Sequence, residues 1–468
     1  MRGARRWNGA IGRATRPAVA HPQQNVISPL LLDEAQALAQ ARLLYCCESF
    51  LFALPLMTTD LDAPRATTWR DRTSMAIGRL GALALAAIVA ACGGGGDGAS
   101  NAPAPPVALD AQAALGEKIF QDTSLSASGR QSCGTCHVED AAHGADNALP
   151  AQFGGPAMDR QGGRLTPSIR YLSTNTAFYF DAEGTPTGGF FWDGRRRSLA
   201  EQAGDPFLNP VEMANASKAE VVGRLARRPY ADEFRALYGA TIFDDTDAAF
   251  LRITLALQAY QLQDEEFHPF DSKYDAFLRN QTTLTAQELR GLALFNAPNK
   301  GNCAACHPSA RGADGSMPLF TDFSYDNLGL PRNHELAANA DPKHFDLGLC
   351  ARSGADVAGR TDLCGAFKVP SLRNVARRQA LFHNGYFKTL KTALTFYVQR
   401  DTNPEKWYPR NTDGSIDKFD DLPPEYHRNV NTTEAPYNRR LGDVPALTDA
   451  EIDDVIAFLN TLNDGFEP

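Results

Sequence analysis

The sequence predicts a mainly α fold, built as two helical domains with long loops. Three observations predict it. Segments 113–122 and 284–296 share one helical layout, and each leads into a Cys-x-x-Cys-His run. Strand-like alternation of apolar and polar residues is scarce along the chain. Gly (38) and Pro (29) gather between the periodic segments, which makes the connections long. The chain has 468 residues, 43% of them hydrophobic, enough for two or three packed cores and unlike an intrinsically disordered sequence. A net charge of −9 argues against a nucleic-acid partner, and against attachment to an anionic membrane by charge alone.

Residues 1–74 carry nine Arg, no Lys and no repeated hydrophobic period, and read as a non-native leader upstream of a true start at Met75. From there Arg79 supplies a short basic region, and 80–89 an apolar run too short to span a bilayer stably. The run ends in Val89-Ala90-Ala91-Cys92, which looks like a lipoprotein cleavage box. Residues 75–91 are therefore read as a signal peptide and Cys92 as the lipid-bearing residue. A short buried helix is the competing reading, but the Gly- and Pro-rich stretch 92–107 that follows suits a flexible tether. The expected location is the periplasm, with a lipid anchor at Cys92 holding the protein to the outer membrane.

In 113–122, Leu115, Ile119 and Phe120 fall on one face. In 284–296, Leu289, Leu292 and Phe295 are expected to do the same, behind a capping box of Thr285 and Glu288. Gly116 and Gly291 each precede a Phe by four residues, as in a duplicated module. The stretch 247–263 reads as a long helix closing the first half. The boundary falls near 280–283, which gives domains 108–282 and 283–468. A last helix follows a second box, Thr448 and Glu451, with Ile452, Val455, Ile456 and Leu459 as its apolar stripe.

Cys133-Gly134-Thr135-Cys136-His137 and Cys303-Ala304-Ala305-Cys306-His307 match the attachment motif of c-type haem. Two thiols one helical turn apart reach the two vinyl groups on one porphyrin edge, and the adjacent imidazole projects onto the iron. A zinc ribbon would keep its pairs about 15–20 residues apart, and a redox pair has no use for a His in the fifth position twice. Each domain is thus expected to be cytochrome c-like, with one covalently bound haem. Of the other cysteines, Cys46 and Cys47 fall in the leader. Cys350 and Cys364 remain as a pair in an oxidising compartment, where a disulfide would close a short loop.

Together with FFWDGRRRSLAEQAGDPFLNPVEM (190–213) and FKVPSLRNVARRQALFHNG (367–385), these motifs resemble the bacterial dihaem cytochrome c peroxidase superfamily, in its MauG-like branch. The resemblance covers about 108–466. It implies that peroxide binds the N-terminal haem, that Trp192 lies between the haems, and that Gln202 and Glu212 line the distal pocket. Each residue suits its role. A carboxylate over an open haem face can move a proton between peroxide oxygens. An amide can donate and accept to orient the peroxide, and an indole between porphyrins gives a route for electrons or holes. Read without the family, Trp192 is a core aromatic and Glu212 a surface acid.

Many family members place a His over the N-terminal haem from a loop that maps to 155–161. No His lies there, so the open face is expected to be vacant; His143 reads as a polar loop residue and Met158 as a rival occupant. At the second haem the resemblance implies Tyr397 as distal ligand, fourteen residues after His383, where MauG-like members use Tyr and typical peroxidases Met. Met317 is the rival. The implied iron ligands are His137, His307 and Tyr397, and a phenolate would stabilise ferric and higher oxidation states. Family members also bind calcium between their halves. Its contact positions are Leu165, Arg378 and Ala380 here, which leaves backbone oxygens and water for such an ion. At most one of Arg195, Arg196 and Arg197 is expected on a haem propionate.

The expected activity is reduction of hydrogen peroxide at the N-terminal haem, with electrons or holes relayed through Trp192 to the His/Tyr-ligated second haem. The donor would be a small periplasmic cytochrome c or cupredoxin. Two alternatives stand beside it: a MauG-like enzyme oxidising residues of a partner protein, and a non-enzymatic dihaem electron carrier.

Overall fold

A helix crossing occurs twice in the same form in the computed structural model, which describes residues 108–467. Helix α1 (Ala111–Gln121) starts at Asp110, whose carboxylate accepts from the Ala113 amide. Helix α2 (Leu199–Leu208) starts at Ser198, and α3 (Thr246–Gln263) at Asp245. In the second half, α4 (Ala286–Asn296) and α6 (Asp449–Asn460) each carry the expected capping box, Thr285 with Glu288 and Thr448 with Glu451. Between them, α5 (Leu390–Gln399) starts at Thr389.

Helix α1 packs on α3, and α4 on α6. At the first crossing a Cβ on Gly116 would lie 2.0 Å from the Ala256 carbonyl oxygen; at the second, a Cβ on Gly291 would lie 2.0 Å from that of Asp454. Only glycine lets the backbones approach so closely. Leu115, Ile119 and Phe120 meet Ile253, Leu257 and Tyr260 in one core, while Phe295 meets Ile452, Val455 and Phe458 in another. Leu289 does not join that core. It is 41% exposed, because the buried face of α4 is centred on Gly291 and Phe295. A third cluster, with Leu330, Phe387 and Phe396, lies under the long loops of the second half.

Sheet is minimal among the described residues: three antiparallel pairs of two-residue strands. They are β1 (Phe153–Gly154) with β2 (Arg160–Gln161), β3 (Tyr179–Phe180) with β4 (Pro186–Thr187), and β5 (Tyr325–Asp326) with β6 (Phe367–Lys368). In the last pair Tyr325 faces Lys368. Cys350 and Cys364 form the expected disulfide. Its loop clamps the first half, with Arg352 over Phe178 at 4.0 Å and Arg360 over Phe180 at 4.9 Å.

The described residues belong to one compact unit with separate cores in its two halves. Near the C-terminus Asp464 ties them together, accepting from Arg170 (2.9 Å), Tyr171 (2.5 Å) and Asn374 (2.6 Å). No described helix is long and apolar enough to cross a membrane. The leader, signal peptide and tether, with Cys46, Cys47 and Cys92, lie outside the described residues.

Candidate active site

The first Cys-x-x-Cys-His run folds as one helical turn, Cys133–Cys136. The Ser132 amide donates to Thr135 Oγ1 at 2.9 Å, and the His137 amide closes on the Cys133 carbonyl at 2.9 Å. This local folding brings both thiols and the imidazole to the lining of a cavity of about 500 Å³. His137 Nδ1 bonds the His143 carbonyl at 3.1 Å, which assigns the proton to Nδ1 and leaves the Nε2 lone pair for a metal. Burial keeps this imidazole neutral, with its pKa pushed down to about 4. Burial also pushes the Cys133 and Cys136 thiols up to about 12 and 11. Neutral thiols are weak metal ligands and weak nucleophiles for disulfide exchange.

The second run turns as a 3₁₀ segment, Cys303–Ala305, entered by Asn302 at φ +52°, a conformation Asn tolerates. His307 repeats the pattern of His137. Its amide bonds the Cys303 carbonyl at 2.9 Å and its Nδ1 the Phe320 carbonyl at 2.7 Å. A cavity of about 210 Å³ is lined by Cys303, Cys306 and His307.

Trp192, Gln202 and Glu212 all line the first cavity. Gln202 comes from α2, and Glu212 from the turn that follows it. Asn209 Nδ2 donates to Glu212 Oε1 at 2.7 Å. Burial pushes the Glu212 carboxyl up, against the opposing pull of Arg195 and Asn209. His137 is the one histidine among the described residues that line this cavity, and Met158 is not among them. Met213 does line it, but is 3% exposed and packs into the first core. His143 accepts from the His137 imidazole through its carbonyl, and its own ring takes the Arg170 Nε at 3.2 Å.

Tyr397, on α5, lines the second cavity, whereas Met317 does not. Burial pushes its phenol far above the ordinary tyrosine range, so a phenolate there needs a strongly charged partner such as ferric iron. Tyr437 stacks obliquely on Tyr397 at 5.8 Å, and its hydroxyl favours the Tyr397 phenolate by hydrogen bonding.

Trp192 lines both cavities. Its indole Nε1 donates to the Leu165 carbonyl at 2.9 Å, and its own carbonyl accepts from the Lys368 amide at 2.8 Å. Lys368, Val369, Pro370 and Leu381 also line both, so one wall separates the two spaces. The Lys368 ammonium donates to the Gly189 carbonyl at 2.7 Å, and burial holds its pKa down to about 8. Arg164 clamps the wall, bonding Asp193 at 2.7 Å and Asp346 at 2.6 Å.

Of the three arginines at 195–197, Arg195 pairs with Asp193, Arg196 pairs with Asp205, and Arg197 is exposed. At the calcium positions, the Leu165 carbonyl accepts from Trp192 Nε1, and the terminal nitrogens of the Arg378 side chain are buried. Asn209, Lys368 and Tyr437 were not assigned roles from the sequence, and Arg378 was named there only as a position for calcium contact, not for its side chain. Asn209, Lys368 and Arg378 lie inside the two segments that carry the resemblance; Tyr437 has no local signal at all.

Two histidines anchored in this way beside two cysteine pairs define a dihaem protein. The comparisons take the assignment further. Residues 110–283 match the family model for di-haem cytochrome c peroxidase. The methylamine utilization protein MauG of Paracoccus denitrificans is 39% identical over 371 residues, 77% of this chain and 90% of its own length. The cytochrome c551 peroxidase of Nitrosomonas europaea is 29% identical over 304 residues, covering 63% of this chain and 77% of its own. The crystal structure of the diheme peroxidase BthA from Burkholderia thailandensis superposes with a TM-score of 0.70 at 40% identity, over 77% of this chain and 87% of that one. The chain belongs to the dihaem cytochrome c peroxidase family, an oxidoreductase family whose members use two haems.

Proposed function

We propose that the chain reduces hydrogen peroxide in the cavity of His137 and exchanges oxidising equivalents across Trp192 with the cavity of His307. One observation carries the reading: Trp192, Gln202 and Glu212 line the cavity of His137, and Trp192 alone of the three also lines that of His307. Cys133 and Cys136 would hold one haem and Cys303 and Cys306 the other, with His137, His307 and Tyr397 as iron ligands. When bound, the haems supply redox-active iron for peroxide cleavage and electron storage.

The protein's own part is proton handling and positioning. Glu212 takes the proton from the oxygen that binds and returns it to the oxygen that leaves. Gln202 donates and accepts to hold the peroxide in line. The wall hydrogen bonds fix the Trp192 plane, and Tyr437 steadies the Tyr397 oxygen. A dihaem electron carrier would need neither Glu212 nor Gln202 in the cavity.

The final reductant is a small periplasmic cytochrome c or cupredoxin, or residues of a partner protein, as in a MauG-like enzyme. Tyr397 in the second cavity and the 39% identity to MauG favour the latter. The first test is the visible and near-infrared spectrum of the oxidised protein after one equivalent of hydrogen peroxide. A long-lived near-infrared band, present in the unmodified chain and lost in Trp192→Phe, is the expected result. No reaction until one electron is added would overturn the open-face reading.

A further inference from the structure

We propose that Arg378 receives a haem propionate in the first cavity, so that one carboxylate of the group held by Cys133, Cys136 and His137 is ion-paired inside the protein. The proposal rests on the dihaem reading above. Arg378 lines the cavity, and both of its terminal nitrogens are buried without a hydrogen-bond partner. Every other cation lining that cavity is already engaged. Arg164 and Arg195 hold Asp193, Arg170 holds Asp464, Arg373 holds Asp275, and Lys368 holds the Gly189 carbonyl. An unpaired guanidinium in a protein interior is strongly disfavoured. Burial and then repulsion from Arg170 already hold its pKa down to about 10.

The ligand chemistry follows from the fork. Two open nitrogens on a planar cation match the two oxygens of a carboxylate. Hydrogen peroxide, being neutral, offers no such charge. The Arg378 charge also reaches His137, which puts it beside the proximal side of the site. Gly144 makes the approach possible: a Cβ there would lie 1.5 Å from Arg378 Nη1. The bare backbone at 144 is the floor on which the guanidinium rests.

The test uses the haem-loaded protein. Haem is first counted by pyridine haemochrome, and fewer than two per chain in the unmodified protein would overturn the dihaem reading and this proposal with it. Given two, R378Q leaves a propionate charge uncompensated. The reduction potential of the His137 haem is then expected to fall and its propionate resonance Raman bands to shift, with the second haem unmoved. G144A, which pushes the guanidinium aside without removing it, shifts both readouts the same way by less. Where R378Q does not fold, G144A carries the test. Two results would overturn the proposal. One is an unchanged potential and unchanged propionate bands in every variant that folds. The other is a saturable spectral response of the unmodified protein to formate or acetate that R378Q abolishes, which would make Arg378 a site for a free carboxylate.

Discussion

Glu212 carries its charge against opposition: burial raises its pKa, while Arg195 and then Asn209 pull it back. To accept a proton it must be ionised. The peroxide rate should therefore rise with pH through a value above the ordinary glutamate range of about 4.3. Asn209→Ala removes a hydrogen bond to the charged form, which moves that rising limb up by about half to one pH unit. Glu212→Gln lowers the rate by about 10²–10⁴-fold and flattens the limb. Stopped-flow peroxide kinetics across the limb check both, and an unmoved limb in Asn209→Ala would remove Glu212 as the titrating group. At this scale the sequence was legible only in part. The two Cys-x-x-Cys-His runs announce their chemistry through spacing, whereas Trp192 and Glu212 take meaning only from the resemblance. Tyr437 was invisible because no spacing rule links it to Tyr397, forty residues earlier; the fold alone brings them together.

The helix crossings invert the usual rule for glycine. Alanine at 116 or 291 would drive a methyl into a backbone carbonyl, and each substitution is expected to destabilise by about 1–3 kcal/mol or more. Gly223 lies in the helix Lys218–Leu225, where a Cβ would meet only Arg227, at 3.7 Å. There the same substitution should stabilise by about 0.5–1 kcal/mol. Urea unfolding midpoints of G116A, G291A and G223A test the contrast, and a common sign for all three would refute it. Capping boxes and long helices were readable because their signals are local. The buried face of α4 was misread toward Leu289 because the residue at its centre, Gly291, has no side chain to register as apolar. Strands of two residues are too short to show a period.

Across the whole molecule, Asp346 from the second half holds Arg164 from the first through Nε and Nη2. Asp346 is half-buried, yet its hydrogen bonds and the charge of Arg164 outweigh desolvation and bring its pKa down to about 2. A depressed carboxyl contributes stability that is complete above its unfolded value, near 3.9, and is lost as pH falls through the folded one. The contribution is about 2 kcal/mol. D346N should be less stable than the parent by about that amount at neutral pH, and the gap should close as pH falls toward about 2. A gap that ignores pH would show that Asp346 acts by packing rather than by charge. The wall that Asp346 and Arg164 brace has its own consequence. Because Trp192, Lys368, Val369, Pro370 and Leu381 face both cavities, no substitution among them is private to one haem. Descendants of this chain that retune one redox centre through the wall inherit a change in the other. A residue that lines only one cavity, as Arg378 lines the first and Tyr437 the second, can act on one side alone.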